Sequence, residues 1–308
     1  MELDSKKKLL QLLQQKKIQE ARAVLEQDLA LLSSCDLSKV NLSGVDLSGA
    51  DLSGANICGV DLREVNLSDV TFHRALYDDE TQWPEGFDYT NLGAIGPKAN
   101  LIDTILSGMN LSGMNLSGAD LSGTWLYSTN LSSANLSGVN LEGAQMMDAI
   151  LDEVNLNDSN LNKANLRATN LSKVNLTRAN LNGAFYNDET QWPEGFDYTN
   201  LGAIGPKSKL SGACLYRADL GGDDLCDAIL NDADLGKAYL KGAFLCDANL
   251  SEACLYHADL SEANLCGANL TGANLTGTDL TDALYDSTTQ WPEGFDPVEA
   301  GALLEEYE

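Results

Sequence analysis

A leucine, or a residue standing in for one, returns every fifth position along most of this chain, and its neighbours return with it. Val40-Asn41-Leu42-Ser43-Gly44, Val45-Asp46-Leu47-Ser48-Gly49 and Ala50-Asp51-Leu52-Ser53-Gly54 follow one another without a break. The frame runs from Leu37 to Tyr77, from Leu101 to Tyr186 and from Leu210 to Tyr285, in blocks of 9, 18 and 16 units. A helix buries side chains at a period near 3.6 and a strand at a period of 2, so strict fives suit neither. A chain that turns a corner every five residues can bury them. Each side of such a coil sends inward one Leu and the small residue two places before it, such as Ala50, Ala55, Ala119, Ala134 and Ala164. The Asn or Asp between them faces out, and the following Ser-Gly turns the corner, where glycine accepts backbone angles other residues resist.

This frame, Ala then Asp or Asn, then Leu, then often Ser-Gly, resembles the pentapeptide-repeat proteins over the three blocks. The resemblance implies an all-β solenoid: a right-handed, four-sided β-helix with four pentapeptides per coil. At the ~4.8 Å spacing of neighbouring strands the 43 units would build a rod of roughly 50 Å. A lone coil has nothing above or below it to bury its leucines, so stability must be shared between neighbouring coils.

The ends therefore need covers. Residues 1–34 lack the frame: Leu9, Leu10, Leu12 and Leu13 are followed by the polar Gln14-Gln15-Lys16-Lys17, and Ile18, Ala21, Leu25, Leu29 and Leu32 then fall at helical spacing. They predict an N-terminal helical cap of one bent helix or two short ones, with a partner-binding amphipathic helix as the alternative. Residues 35–285 are expected to form the β-helix, interrupted by loops at 78–98 and 187–207. Residues 286–308 are expected to make a capping loop and a short C-terminal helix. Each of these three segments carries Thr-Gln-Trp-Pro-Glu-Gly-Phe-Asp, at Thr81, Thr190 and Thr289. The Asp296-Pro297 pair is a good helix start. Similar segments resemble those that close the C-terminal end in cyanobacterial pentapeptide proteins. An uninterrupted rod from which the two internal copies bulge is the expected arrangement, because nine units alone bury too little to offset chain entropy.

The chain has a formal net charge of −27. The first 34 residues hold six basic and five acidic side chains, so the negative charge belongs to the repeats. Such a field repels nucleic acid and anionic membranes and attracts basic protein surfaces. Seven cysteines, with Cys226, Cys246 and Cys266 twenty residues apart, predict a ladder of reduced thiols and a cytoplasmic location. Two histidines, no phosphate loop, no metal-ligand spacing and no nucleophile elbow argue against an enzyme, a cofactor or a metal site. The Asn-Leu-Ser triplets are by-products of the repeat.

The expected function is a non-enzymatic interaction, scaffold or regulatory protein presenting an acidic rod to a partner with a basic surface; the oligomeric state stays open. The alternative is a DNA-mimicking modulator of a DNA-binding enzyme such as gyrase, a role associated with some pentapeptide proteins. Candidate partner-binding residues are Trp83, Phe87, Trp192 and Phe196 in the two internal segments. Trp125, Tyr216, Tyr239, Phe244 and Tyr256, which break the polar pattern outside, complete the set.

Overall fold

Leucine at every fifth position leads to a corner at every fifth position. After each central residue the chain makes a tight turn, with the next small residue's N–H donating back to the Leu carbonyl, as from Ala50 to Leu47 at 2.8 Å. The third residue of the turn takes a left-handed φ, 66° at Gly54 and 57° at Arg178. The Asn or Asp before Leu also has a local task. Its Oδ1 accepts the N–H two residues on, as in Ser53 to Asp51 at 2.8 Å, fixing the corner from outside.

The computed structural model describes residues 2–15, 17–38 and 40–305. They form two units: residues 1–144, 149–160 and 173–179 in one, and residues 145–148, 161–172 and 180–308 in the other. In both, one residue per side makes a parallel bridge to the residue one coil further on. The step is twenty residues, as in Asn100–Asp120–Asn140–Asn160 of the first unit and Asp219–Tyr239–Asp259–Asp279 of the second. Single bridges, rather than long strands, are what five-residue sides leave room for. Leucine and alanine from all four sides close the interior; Leu220, Ala228, Leu240, Ala253 and Leu260 of the second unit are fully enclosed. Asparagine columns run along the outside, with Asn135, Asn155 and Asn175 each donating to the residue one coil back at 3.2, 3.3 and 2.9 Å.

The first unit begins with α1 (Glu2–Gln14) and α2 (Ile18–Leu25), followed by a 3-10 turn at Leu29–Leu32. The predicted apolar stripe is buried at Leu9, Leu12, Leu13, Ala21, Leu25 and Leu32 and half-buried at Leu10, whereas Leu29 stays exposed; the Ile18 side chain lies outside the described residues. The Leu29 carbonyl accepts from Asp51 N at 2.8 Å, which sets this segment against the first coil.

The internal Trp-Pro copies do not bulge from an unbroken ladder. In the first unit the bridges reach Gln82, opposite Asp61, and Ile95, opposite Leu76; the next ladders start afresh at Asn100, Ile105, Asn110 and Asn115. In the second unit they reach Gln191 and Ile204 and restart at Lys209, Cys214, Asp219 and Asp224. Among the described residues no bridge crosses either break. Gln82 still donates to Val60, but the next residues are Trp83 and Pro84, and proline has no N–H for a ladder.

The expected short helices are largely absent. The second copy has a 3-10 turn at Tyr198–Asn200, and no helix forms after Asp88. After Asp296 the carboxylate does accept from Val298 and Glu299, at 3.0 and 3.1 Å, as a helix start should. The turn stops at Gly301, whose φ is 92°, because the chain must enter a rung. There β2 (Leu303–Leu304) pairs in parallel with β1 (Leu284–Tyr285), so the expected C-terminal helix is replaced by a strand among the described residues.

Candidate interaction site

Each Trp-Pro segment folds into a plate of rings at the end of a ladder. Trp83 stacks on Phe87 at 5.6 Å and on Tyr89 at 5.3 Å, and meets Phe72 and Tyr77 edge-on. Trp192 repeats the arrangement with Phe196, Tyr198 and Tyr186, and Trp291 with Phe295 and Tyr285. A buried threonine anchors the segment from below. Thr81 donates to the Ile57 carbonyl at 3.1 Å and Thr190 to Leu166 at 3.0 Å. Trp83, Phe87, Trp192 and Phe196 are thus half-buried parts of these plates rather than protruding groups.

The other five candidates are exposed, and the structure does not gather them. Trp125 stands on the first unit, one coil above the exposed Ile105 and edge-on to Tyr127. On the second unit Tyr216 and Tyr256 share one side, Tyr239 lies on the next and Phe244 on the one after. Two of the rings lie close to a glycine. A β-carbon on Gly221 would stand 2.4 Å from the Tyr239 ring, and one on Gly236 would stand 3.1 Å from that of Tyr216.

One feature of the second unit escaped the sequence reading. A cleft of about 970 Å³ opens where the ladder ending at Ile204 meets the coil starting at Lys209, lined by Arg167, Phe185, Tyr216, Arg217, Asp219 and Asp223 among others. Arg167 lies over the Phe185 ring, 4.7 Å from its centre, and forms an ion pair with Asp223. Burial pushes the Asp223 carboxyl up, and the Arg167 charge opposes that rise in part. Its Oδ2 is enclosed without a hydrogen-bond partner. The signal was available: Asp223 occupies the small inward place that Ala218 and Ala228 hold in neighbouring units.

The family model of pentapeptide repeats matches residues 30–75, 98–132, 115–152, 126–162, 149–185, 228–265 and 255–284, together well over half of the chain. The chain belongs to the pentapeptide-repeat family. Pentapeptide-repeat proteins fold as right-handed quadrilateral β-helices, and they are generally non-enzymatic scaffolds or regulators. Among solved structures, the chain is similar to alr5209, a pentapeptide repeat protein from Nostoc PCC 7120. The two are 40% identical over 32% of this chain and 83% of that one, with a TM-score of 0.29. It is also similar to HetL, a pentapeptide repeat protein involved in heterocyst differentiation regulation in Nostoc sp. strain PCC 7120. That match is 29% identical over 81% of this chain and 86% of HetL, with a TM-score of 0.26. QnrB1, a plasmid-mediated fluoroquinolone resistance protein, is 14% identical over 68% of this chain and 95% of its own, again with a TM-score of 0.26. No curated protein matches the chain.

In this pentapeptide-repeat chain burial lifts the thiols of the cysteine column. Burial pushes the Cys226 thiol up to about 12; the Cys266 thiol also rises to about 12, through burial first and then its contact with Glu305. Burial raises Cys246 as well. All seven cysteines are free. Among the described residues no group of three or more His, Cys, Asp or Glu side chains could hold a metal ion, and no helix is long and apolar enough to cross a membrane.

Proposed function

We propose that this chain is a non-enzymatic scaffold or regulatory protein that binds a protein partner through the outer sides of its β-helix. The observation that carries this reading is the set of aromatic rings left in the open. Trp125, Tyr216, Tyr239, Phe244 and Tyr256 are 41 to 50% exposed, and on the second unit's ring-bearing sides Asp234, Asp259 and Asp224 accept the N–H two residues on and fix the corner. Rings held on a backbone this constrained lose little freedom when a partner covers them, and aromatic side chains dominate interface energetics. The acidic charge favours a partner with a basic surface and disfavours nucleic acid and anionic membrane. Reduced cysteines fit a cytoplasmic setting, and α1 with α2 serves as the cover of the first coil.

The test compares partner capture by wild type with that by a chain carrying Trp125→Ser, Tyr239→Ser and Phe244→Ser. Loss of a partner with unchanged circular dichroism supports the reading; an identical partner set removes these rings from it. The second reading, a DNA-mimicking modulator of a DNA-binding enzyme, draws support from Asp259 and Asp279 stacked one coil apart on an anionic side. It requires the protein to alter DNA supercoiling by gyrase in a salt-sensitive way, and no effect at micromolar protein would end it.

A further inference from the structure

The chain builds the same seam twice, once filled and once open. With Thr81 aligned on Thr190, every residue around the first internal Trp-Pro segment has a counterpart around the second. After the first segment, Thr104 stands two places before Leu106 and Met109 two places before Leu111, and Leu106 is 1% exposed. Arg74 reaches across from the preceding ladder and donates to the Ile105 carbonyl at 2.6 Å. That seam is filled. After the second segment, Ala213 and Ala218 take the places of Thr104 and Met109, and Gly183 takes that of Arg74. Leu215, the counterpart of Leu106, is half-buried and lines the 970 Å³ cleft with both alanines. The cleft is therefore an opening onto the aliphatic interior of the second unit, to which all its lining residues belong.

What the second seam loses in bulk it gains in charge. Lys163, Arg167 and Arg217 line the cleft where the first seam has Gly54, Cys58 and Gly108, and Tyr216 stands in the place of Ser107. Arg167 is committed to Asp223 and, at 3.2 Å, to Asn165 Oδ1. Lys163 and Arg217 are exposed, and among the described residues neither has an ion-pair partner. The other carboxylate of the lining is Asp219, so three cations face two carboxylates. Charges beyond a Debye length of about 8 Å are largely screened, so this local balance decides what enters rather than the acidity of the whole chain.

We propose that this cleft binds a small organic anion, with an apolar body laid against Leu215 and Ala218 and a carboxylate or phosphate held by Lys163 and Arg217. A volume of about 970 Å³ suits a small-molecule pocket, and an apolar floor with a few placed charges is how such pockets are built. The body takes core positions away from water, and the cations select the sign of the ligand. The site goes beyond the partner-binding role above and does not depend on it, since Trp125, Tyr239 and Phe244 do not line the cleft.

The probe is anilinonaphthalene sulfonate, an apolar anion whose emission rises when it leaves water, titrated into the full chain. Wild type should bind one equivalent. Ala213→Thr with Ala218→Met, which installs the residues of the filled seam, should abolish that signal while circular dichroism stays unchanged. Lys163→Gly with Arg217→Gly keeps the cleft open and suits two turn positions whose φ is 56° and 58°. This second pair should weaken binding about tenfold or more and remove its salt dependence. Octanoate and octyl phosphate then compete with the probe, and displacement by either supports the site and names its head group. Displacement by neither overturns the proposal, as does absent probe binding or binding that survives the Thr and Met pair. Binding lost to that pair yet unchanged in the Gly pair overturns the anionic class of ligand.

Discussion

Gly205 has no room for a side chain. A β-carbon there would lie 2.6 Å from the Tyr186 carbonyl oxygen and 2.8 Å from its ring, and Gly96 meets Tyr77 at the same distances. Gly205→Ala should therefore lower stability to urea by about 1–3 kcal/mol, as overpacked sites do, whereas Gly212→Ala meets nothing and strains only its turn. The carboxylate of Asp286 is a second fixed point. It accepts from Gly267 N at 3.0 Å and from Thr288 Oγ1 at 2.7 Å, and these bonds, led by the Thr288 hydroxyl, hold its carboxyl down at about 2. A carboxyl with a depressed folded value contributes stability above its unfolded value of about 4, and loses it as pH falls toward 2. Urea titrations between pH 4 and 2 should show that loss in wild type and a shallower one in Asp286→Asn. The thiols give a third check. At pH 8 a disulfide reagent should label the exposed Cys214 well before Cys226 and Cys266, whose raised thiols stay protonated.

At the scale of elements, the sequence carried the coil itself, because the instruction is local. Leu37, Leu42 and Leu47 each close their own turn, so the side length is legible without knowing what lies above or below, whereas the twenty-residue step was implied by the family resemblance and is fixed by the bridges between coils. The Trp-Pro segments were legible as special but not as terminators of ladders. Whether Gln82 and Ile95 continue a rung or end one depends on partners that the local sequence does not name. The same holds for Arg167 and Asp223, which meet across 56 positions. Arg167→Met should cost about 3–5 kcal/mol by leaving a buried carboxylate unpaired. Adding Asp223→Ala, which restores the alanine of neighbouring units, should recover most of it, as a double-mutant cycle by urea unfolding would show. Leu240→Ala inside a stack should cost about 2.7–5 kcal/mol, and Leu303→Ala at a half-exposed position far less.

For the molecule as a whole, charge is the dominant long-range term. A net charge of −27 with no cation after Lys241 makes the compact state repel itself. Moderate salt should raise the melting temperature by screening that repulsion, as calorimetry across ionic strengths would measure. The repeating pattern alone determined that this chain turns a corner every five residues around an aliphatic interior, since each turn is closed within its own pentapeptide; the number of sides per coil is set by which residues bridge between coils. Only the tertiary structure decided that the ladders stop at Gln82 and Ile95 and at Gln191 and Ile204, and that Arg167 meets Asp223, because those pairings depend on residues far outside the local pentapeptide.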